Sequence, residues 1–231
     1  LEIADSIAMS GDMEECVAES DVVVAATPTI YQRTVCEDLA PLLRPHHLVV
    51  NVSKGIEEGS LLTGTGIVRE VCGDDFPLAG LYGPSHAEEV AREMPTTVVA
   101  ASRVPQVARE VQGTFMDERF RVYTNPDLVG VELGAALKNV IAIAAGVCDG
   151  LGFGDNAKSA LLTRGLAEIR RLGVAMGGKA VTFAGLTGLG DLITTCVSPH
   201  GRNRSVGMRI GQGETLEEIL EDMEQVAEGV R

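Results

Sequence analysis

Residues Asp21–Ser53, DVVVAATPTIYQRTVCEDLAPLLRPHHLVVNVS, decide the fold. DVVVAAT and LVVNVS are short β-branched runs with no polar residue on alternate positions, as in strands covered on both faces, and the Gln32–Leu43 segment between them reads as a helix. Strand, helix, strand is the unit of a parallel sheet, and it recurs downstream. Leu78–Gly83, Thr96–Ser102 and Arg121–Thr124 read as further strands, with helices at Thr65–Cys72, Ser85–Glu93 and Pro105–Phe115. The expectation is an α/β Rossmann-type, doubly wound and mostly parallel sheet.

After Asn125-Pro126 the strand signals nearly vanish, so a domain boundary is placed near residue 126. Residues 127–231 read as all-α: Asp127–Val147, Asn156–Met176, a glycine-rich turn at Gly185–Asp191, and a closing helix from Thr215. Thr215 and Glu218 form a capping-box pattern, followed by Leu216, Ile219, Leu220, Met223 and Val226 at helical spacing. A doubly wound nucleotide-binding domain ordinarily opens on strand, GxGxxG turn and helix, and no such turn occurs here. With Leu1 first and Arg231 just after a helix, the chain reads as an internal piece of a longer protein, incomplete at both ends, and as written it is expected to bind a nicotinamide cofactor poorly.

Composition narrows the function. Lys plus Arg number 19 against 33 Asp plus Glu, a net charge of −14, which argues against nucleic acid or an anionic membrane as partner. Mean hydropathy is +0.15 and 45% of residues are hydrophobic, enough to bury a sizeable core. No apolar stretch reads as a membrane span, and the five scattered cysteines fit a reducing, cytoplasmic setting. Neither the cysteines nor the four histidines show metal-ligand spacing, so no metal site is expected.

Lys138 is the sole charge in LGAALKNVIAIAAGVC, Leu133–Cys148. A lysine in such a helix snorkels to water, meets an anion, or has its pKa lowered for proton transfer. Strand ends supply other candidates, because ligands of open α/β sheets bind beyond the carboxyl ends of the strands. Thr27-Pro28-Thr29 closes the first strand, Ser53-Lys54-Gly55 the second, and Gly83-Pro84-Ser85 the third. On their own Lys54 is a surface lysine in a turn and Ser85, three before Glu88, a helix cap. Farther on, GLTGLGDLITTCVSPHGRNR (Gly185–Arg204) gathers glycines, Asp191, threonines, Arg202 and Arg204. Glycine-rich turns commonly just cap helices, but amides, hydroxyls and guanidinium together also suit a phosphate. Asp191 among cations is a stabilised carboxylate able to orient Lys138 or accept a substrate hydroxyl.

The order of these blocks is more specific than any one of them. SKG, GPSHAEE, VELGAALKNVIAIAAGVCDGLGFGDNAKSAL, GLGDLITTC, GRNR and VAEG resemble, over essentially the whole chain, the NAD(P)-dependent glycerol-3-phosphate dehydrogenases of the bacterial type. The resemblance implies residues 1–126 as a partial NAD(P)-binding Rossmann domain, 127–231 as a helical substrate domain, and reversible reduction of dihydroxyacetone phosphate to sn-glycerol 3-phosphate for glycerophospholipid synthesis. It implies Lys138 as general acid/base, and Lys54, Gly83, Ser85, Asp191, Thr195, Gly201, Arg202 and Asn203 as further substrate contacts. Lys54, Ala87, Arg202, Val226 and Glu228 would meet the NAD or NADP cofactor. Gly201 stands where many relatives carry serine, so a contact there runs through backbone. A homodimer is expected by likeness alone. Two rival readings are a β-hydroxyacid-type dehydrogenase, which the GDLITTC and GRNR blocks oppose, and a non-catalytic binding or assembly module, which the retained Lys54, Lys138, Asp191 and Arg202 oppose.

Overall fold

The computed structural model describes residues 6–223 and 227–230. A first helix, α1 (Met13–Ala18), is capped by the Asp12 carboxylate and leads into β1 (Val22–Ala25). Then follow α2 (Thr29–Leu39), β2 (Leu48–Asn51), α3 (Gly64–Cys72), β3 (Leu78–Tyr82), the single-turn α4 (Ala87–Val90), β4 (Thr96–Ala101), α5 (Pro105–Phe115) and β5 (Phe120–Asn125). The five strands lie in sequential order in one sheet. All neighbours run parallel except β3 and β4, paired antiparallel with Leu81 opposite Ala100.

The continuous apolar strands are explained by cover on both faces. Val49 and Leu78 pack with Cys36 of α2 and with Ile67 and Val68 of α3. Their neighbours Leu48, Val50, Leu81 and Val98 point the other way, onto Val107 and Val111 of α5. A right-handed crossover from a strand of reversed direction lands on the opposite face, which is why α5 lies across the sheet from α2 and α3.

The helical region begins with α6 (Leu128–Gly150), capped by Asp127, whose carboxylate accepts from the Gly130 amide at 3.1 Å and also from the Lys179 amide and the Thr182 hydroxyl. This helix is long and apolar enough to cross a membrane, yet 67% of its most apolar window is buried inside the protein. Leu128, Val131 and Ala135 pack on Tyr82, Val99 and Ala101 of the sheet, while Leu133, Ala142 and Ala145 join Ile169, Phe183 and Leu192. One helix therefore belongs to both layers. Around it lie α7 (Asp155–Ala175), α8 (Asp191–Val197), α9 (Arg202–Gly211) and α10 (Leu216–Glu221). α9 comes unusually close to α6: a Cβ on Gly207 would strike the Ile143 carbonyl, and one on Gly146 the Arg204 carbonyl.

Three local expectations are corrected. The helix expected over Ser85–Glu93 is only the turn α4, and the Ser85–Glu88 capping box does not form. His86 precedes the helix instead, so Ser85 lies one residue too early, and its hydroxyl donates to the Gly83 carbonyl at 3.1 Å. The glycine-rich segment is no open turn but a π-helical turn, Leu186–Gly190, running straight into α8. The closing helix does have its Thr215–Glu218 capping box, but it ends at Glu221. Met223 packs beside Val206, Ile219 and Ala227 beyond the helix, and Val226 lies outside the described residues.

Candidate active site

The sheet and the helices meet at a cleft of about 640 Å³ at the carboxyl ends of β1 to β3. β2 delivers Lys54, α6 delivers Lys138 and Asn139, and the first turn of α8 delivers Asp191. Lys138 is 4% exposed, so its ammonium is fully dependent on partners inside the protein. It donates to Asp191 Oδ1 at 2.5 Å and to Thr195 Oγ1 at 2.6 Å. Asp191 and Thr195 stand one helical turn apart on α8 and so share a face. The other carboxylate oxygen, Asp191 Oδ2, accepts from Lys54 Nζ at 3.0 Å, and Lys54 also donates to the Gly83 carbonyl at 2.7 Å.

One buried carboxylate thus serves two lysines, one from each half of the chain. Burial works to raise the Asp191 pKa, but the charges of Lys54 and Lys138 outweigh it and hold the carboxyl below its ordinary value. Lys138 is pushed the other way: burial first, then the nearby Lys54 ammonium, bring it down to about 8 against the pull of Asp191. A lysine in that range can both release and accept a proton near neutral pH.

Gly201, Arg202 and Asn203 also line the cleft. The exposed Arg202 has no salt bridge among the described residues, whereas the buried Asn203 accepts from the Gly229 amide at 2.9 Å. Glu228 accepts from the Thr29 amide and hydroxyl at 3.4 and 3.5 Å, and burial raises its pKa. Ser85 and Ala87 also line the cleft. Gly83 does not: its φ of +151° and its carbonyl bond to Lys54 make it the support behind the wall. The expected convergence of Arg202 and Arg204 is also corrected, since Arg204 turns away to Asp149 at 2.7 Å. Two residues along a helix point to different faces.

Sequence reasoning overlooked three polar residues in the cleft, Asn139, His86 and His200, although LKN and GPSHAEE contain two of them. It also overlooked Glu132. This acid is 3% exposed and accepts from the Thr65 amide and hydroxyl, the Thr63 hydroxyl and the Tyr82 hydroxyl, tying α6 to α3 and β3. The signal was the same as for Lys138, a lone charge among apolar neighbours in LVGVELGAAL. Among the described residues no group of three or more His, Cys, Asp or Glu is arranged to hold a metal ion.

The family model described as NAD-dependent glycerol-3-phosphate dehydrogenase N-terminus matches residues 1–108, and its C-terminal counterpart matches residues 127–231. Glycerol-3-phosphate dehydrogenase (NAD(P)+) 2 of Salinibacter ruber is 53% identical over 233 residues, covering 100% of this chain and 68% of that protein. The glycerol-3-phosphate dehydrogenase (NAD(P)+) of Bacillus subtilis is 52% identical, with coverage of 100% and 68%. A crystal structure of glycerol-3-phosphate dehydrogenase from Coxiella burnetii superposes with a TM-score of 0.90 at 37% identity, over 95% of this chain and 67% of that one.

Proposed function

The chain belongs to the NAD-dependent glycerol-3-phosphate dehydrogenase family, and we propose that dihydroxyacetone phosphate and sn-glycerol 3-phosphate are interconverted in this cleft with Lys138 as the general acid/base. Family membership makes it an oxidoreductase that uses NAD or NADP and acts on a small phosphate substrate. The observation that carries the residue assignment is the Asp191 carboxylate held between Lys54 and Lys138.

The residues present fit the cofactor's nicotinamide end. Thr27 Oγ1, at the carboxyl end of β1, is buried without a hydrogen-bond partner among the described residues, and Ala26, Pro28 and Val52 line the cleft beside it. Lys54, Ala87, Arg202 and Glu228 complete the group that would hold the cofactor. When bound, the reduced cofactor supplies a hydride to the substrate carbonyl carbon.

Hydride addition turns the carbonyl oxygen into an alkoxide, and Lys138 donates the proton that neutralises it. Asp191 keeps the Lys138 ammonium charged and fixed in direction, while Thr195 takes a second of its hydrogen bonds. Lys54 adds positive charge beside the same oxygen. Arg202 and Asn203 hold the substrate phosphate at the other end, Arg202 as a planar donor. In the reverse direction neutral Lys138 takes the hydroxyl proton. Reduction therefore needs the lysine charged and weakens as pH rises through about 8, and oxidation strengthens over the same range.

On this reading residues 1–126 are a partial cofactor domain and 127–231 the substrate domain. Supply of glycerol 3-phosphate to phospholipid synthesis, in the cytoplasm and by a homodimer, rests on family membership alone. The test is cofactor oxidation with dihydroxyacetone phosphate, with unphosphorylated dihydroxyacetone and with small oxo acids. Turnover should require the phosphate; equal turnover of an oxo acid would favour a β-hydroxyacid-type enzyme and reject the proposal.

A further inference from the structure

His86 stands on the connection between β3 and α4, between Ser85 and Ala87, and lines the cleft. Its Nε2 is buried and has no hydrogen-bond partner among the described residues. A buried polar atom left unpaired costs roughly as much as a lost hydrogen bond, so a residue in this state inside a binding cleft is poised for a ligand atom. The lysines do not fill the role, since Lys138 is engaged by Asp191 and Thr195, and Lys54 by Asp191 and Gly83. The His86 ring lies 6.1 Å, centroid to centroid, from that of His200, two residues before Arg202. His86 shares the cleft lining with His200 and Arg202, and the Lys138 and Lys54 charges also reach its ring. Burial, then the charge of Lys138, lower the His86 pKa and so favour the neutral ring, which carries one N–H.

We propose that His86 is a further substrate-binding residue, whose Nε2–H donates to the substrate phosphate beside His200. A phosphate dianion offers only acceptors, so the ring nitrogen must be the donor, and the surrounding cations draw that dianion in. The inference rests on the reading of the cleft as a glycerol-3-phosphate site and adds to it a phosphate ligand from the sheet side, where Arg202 and Asn203 come from α9.

The experiment is steady-state kinetics of the full-length enzyme at saturating cofactor, with orthophosphate as a competing probe. His86→Asn, too short to reach, should raise both the KM for dihydroxyacetone phosphate and the orthophosphate inhibition constant roughly 10-fold, equivalent to about 1.4 kcal/mol. kcat and the cofactor KM should stay near wild type. His86→Gln, whose amide nitrogen occupies the place of Nε2, should recover most of the loss, which mere filling of space by the ring would not predict. An unchanged orthophosphate constant in His86→Asn, or a rise in the cofactor KM in its place, overturns the assignment of His86. Failure of the unsubstituted full-length enzyme to reduce dihydroxyacetone phosphate at all would bring down the reading of the cleft itself.

Discussion

Replacing Asp191 with asparagine keeps the shape of the side chain and removes the one charge that both lysines share. Asp191 is 2% exposed and lies 2.5 Å from Lys138 Nζ and 3.0 Å from Lys54 Nζ. Breaking a buried ion pair on one side costs about 3–5 kcal/mol, because the remaining charge is left without compensation. Here two ammonium groups would face each other, and the cheapest relief is for Lys138 to lose its proton. An opposite charge at this range shifts a pKa by about 1–3 units, so a Lys138 value of about 8 should fall to near 6. At pH 7 the protonated fraction then drops from about nine-tenths to about one-tenth. The assay is kcat/KM for reduction against pH: its basic limb should move from near pH 8 to near pH 6 in Asp191→Asn, and the oxidation profile should shift the same way. A limb that stays near pH 8 in a slowed variant would refute the reasoning, because Asp191 would then hold geometry without holding the proton. Stability carries the same signature. Lys138 binds its proton less tightly folded than its ordinary 10.5, so its favourable contribution is present above that value and is lost as pH falls through about 8, by about 3 kcal/mol in all. Asp191, held below 3.8, contributes stability above that value that is lost as pH falls through its lower folded pKa.

Two further perturbations probe what positions the site. Glu132→Gln removes a buried charge yet should destabilise by about 2–3 kcal/mol, read as a lower urea midpoint, because four donors converge on the carboxylate and an amide nitrogen would face some of them; an unchanged midpoint would contradict this. Gly207→Ala should force α9 away from α6, since its Cβ would meet the Ile143 carbonyl. The cost should be about 1–3 kcal/mol, with a raised KM for the phosphate substrate as Arg202 and Asn203 shift, whereas unchanged stability and KM would show that the helix contact does not set the site.

The sheet was readable because runs such as LVVN and LAGLY admit only strands buried on both faces, and helices between them leave few arrangements. The reversal of β4 was not readable, since TTVVAA packs equally well in either direction and only tertiary pairing fixes it. Lys138 declared itself as a charge among apolar residues, and Asp191 and Lys54 as charges at glycine-rich element ends. Arg204 misled because proximity in sequence says nothing about which helix face a guanidinium takes, and Asp149, 55 residues away, claims it. Ser85 misled for a related reason, as the capping pattern was present but the helix started one residue later than it required. The vacant Nε2 of His86 is visible only once its surroundings are assembled.

The central claim is that Lys138 moves the proton, and the direct measurement is single-turnover reduction of dihydroxyacetone phosphate by Lys138→Ala in the full-length enzyme with the cofactor bound. The account predicts that the chemical step is lost while cofactor affinity, measured by titration on the same sample, is retained. Turnover near the wild-type rate in that variant would contradict it.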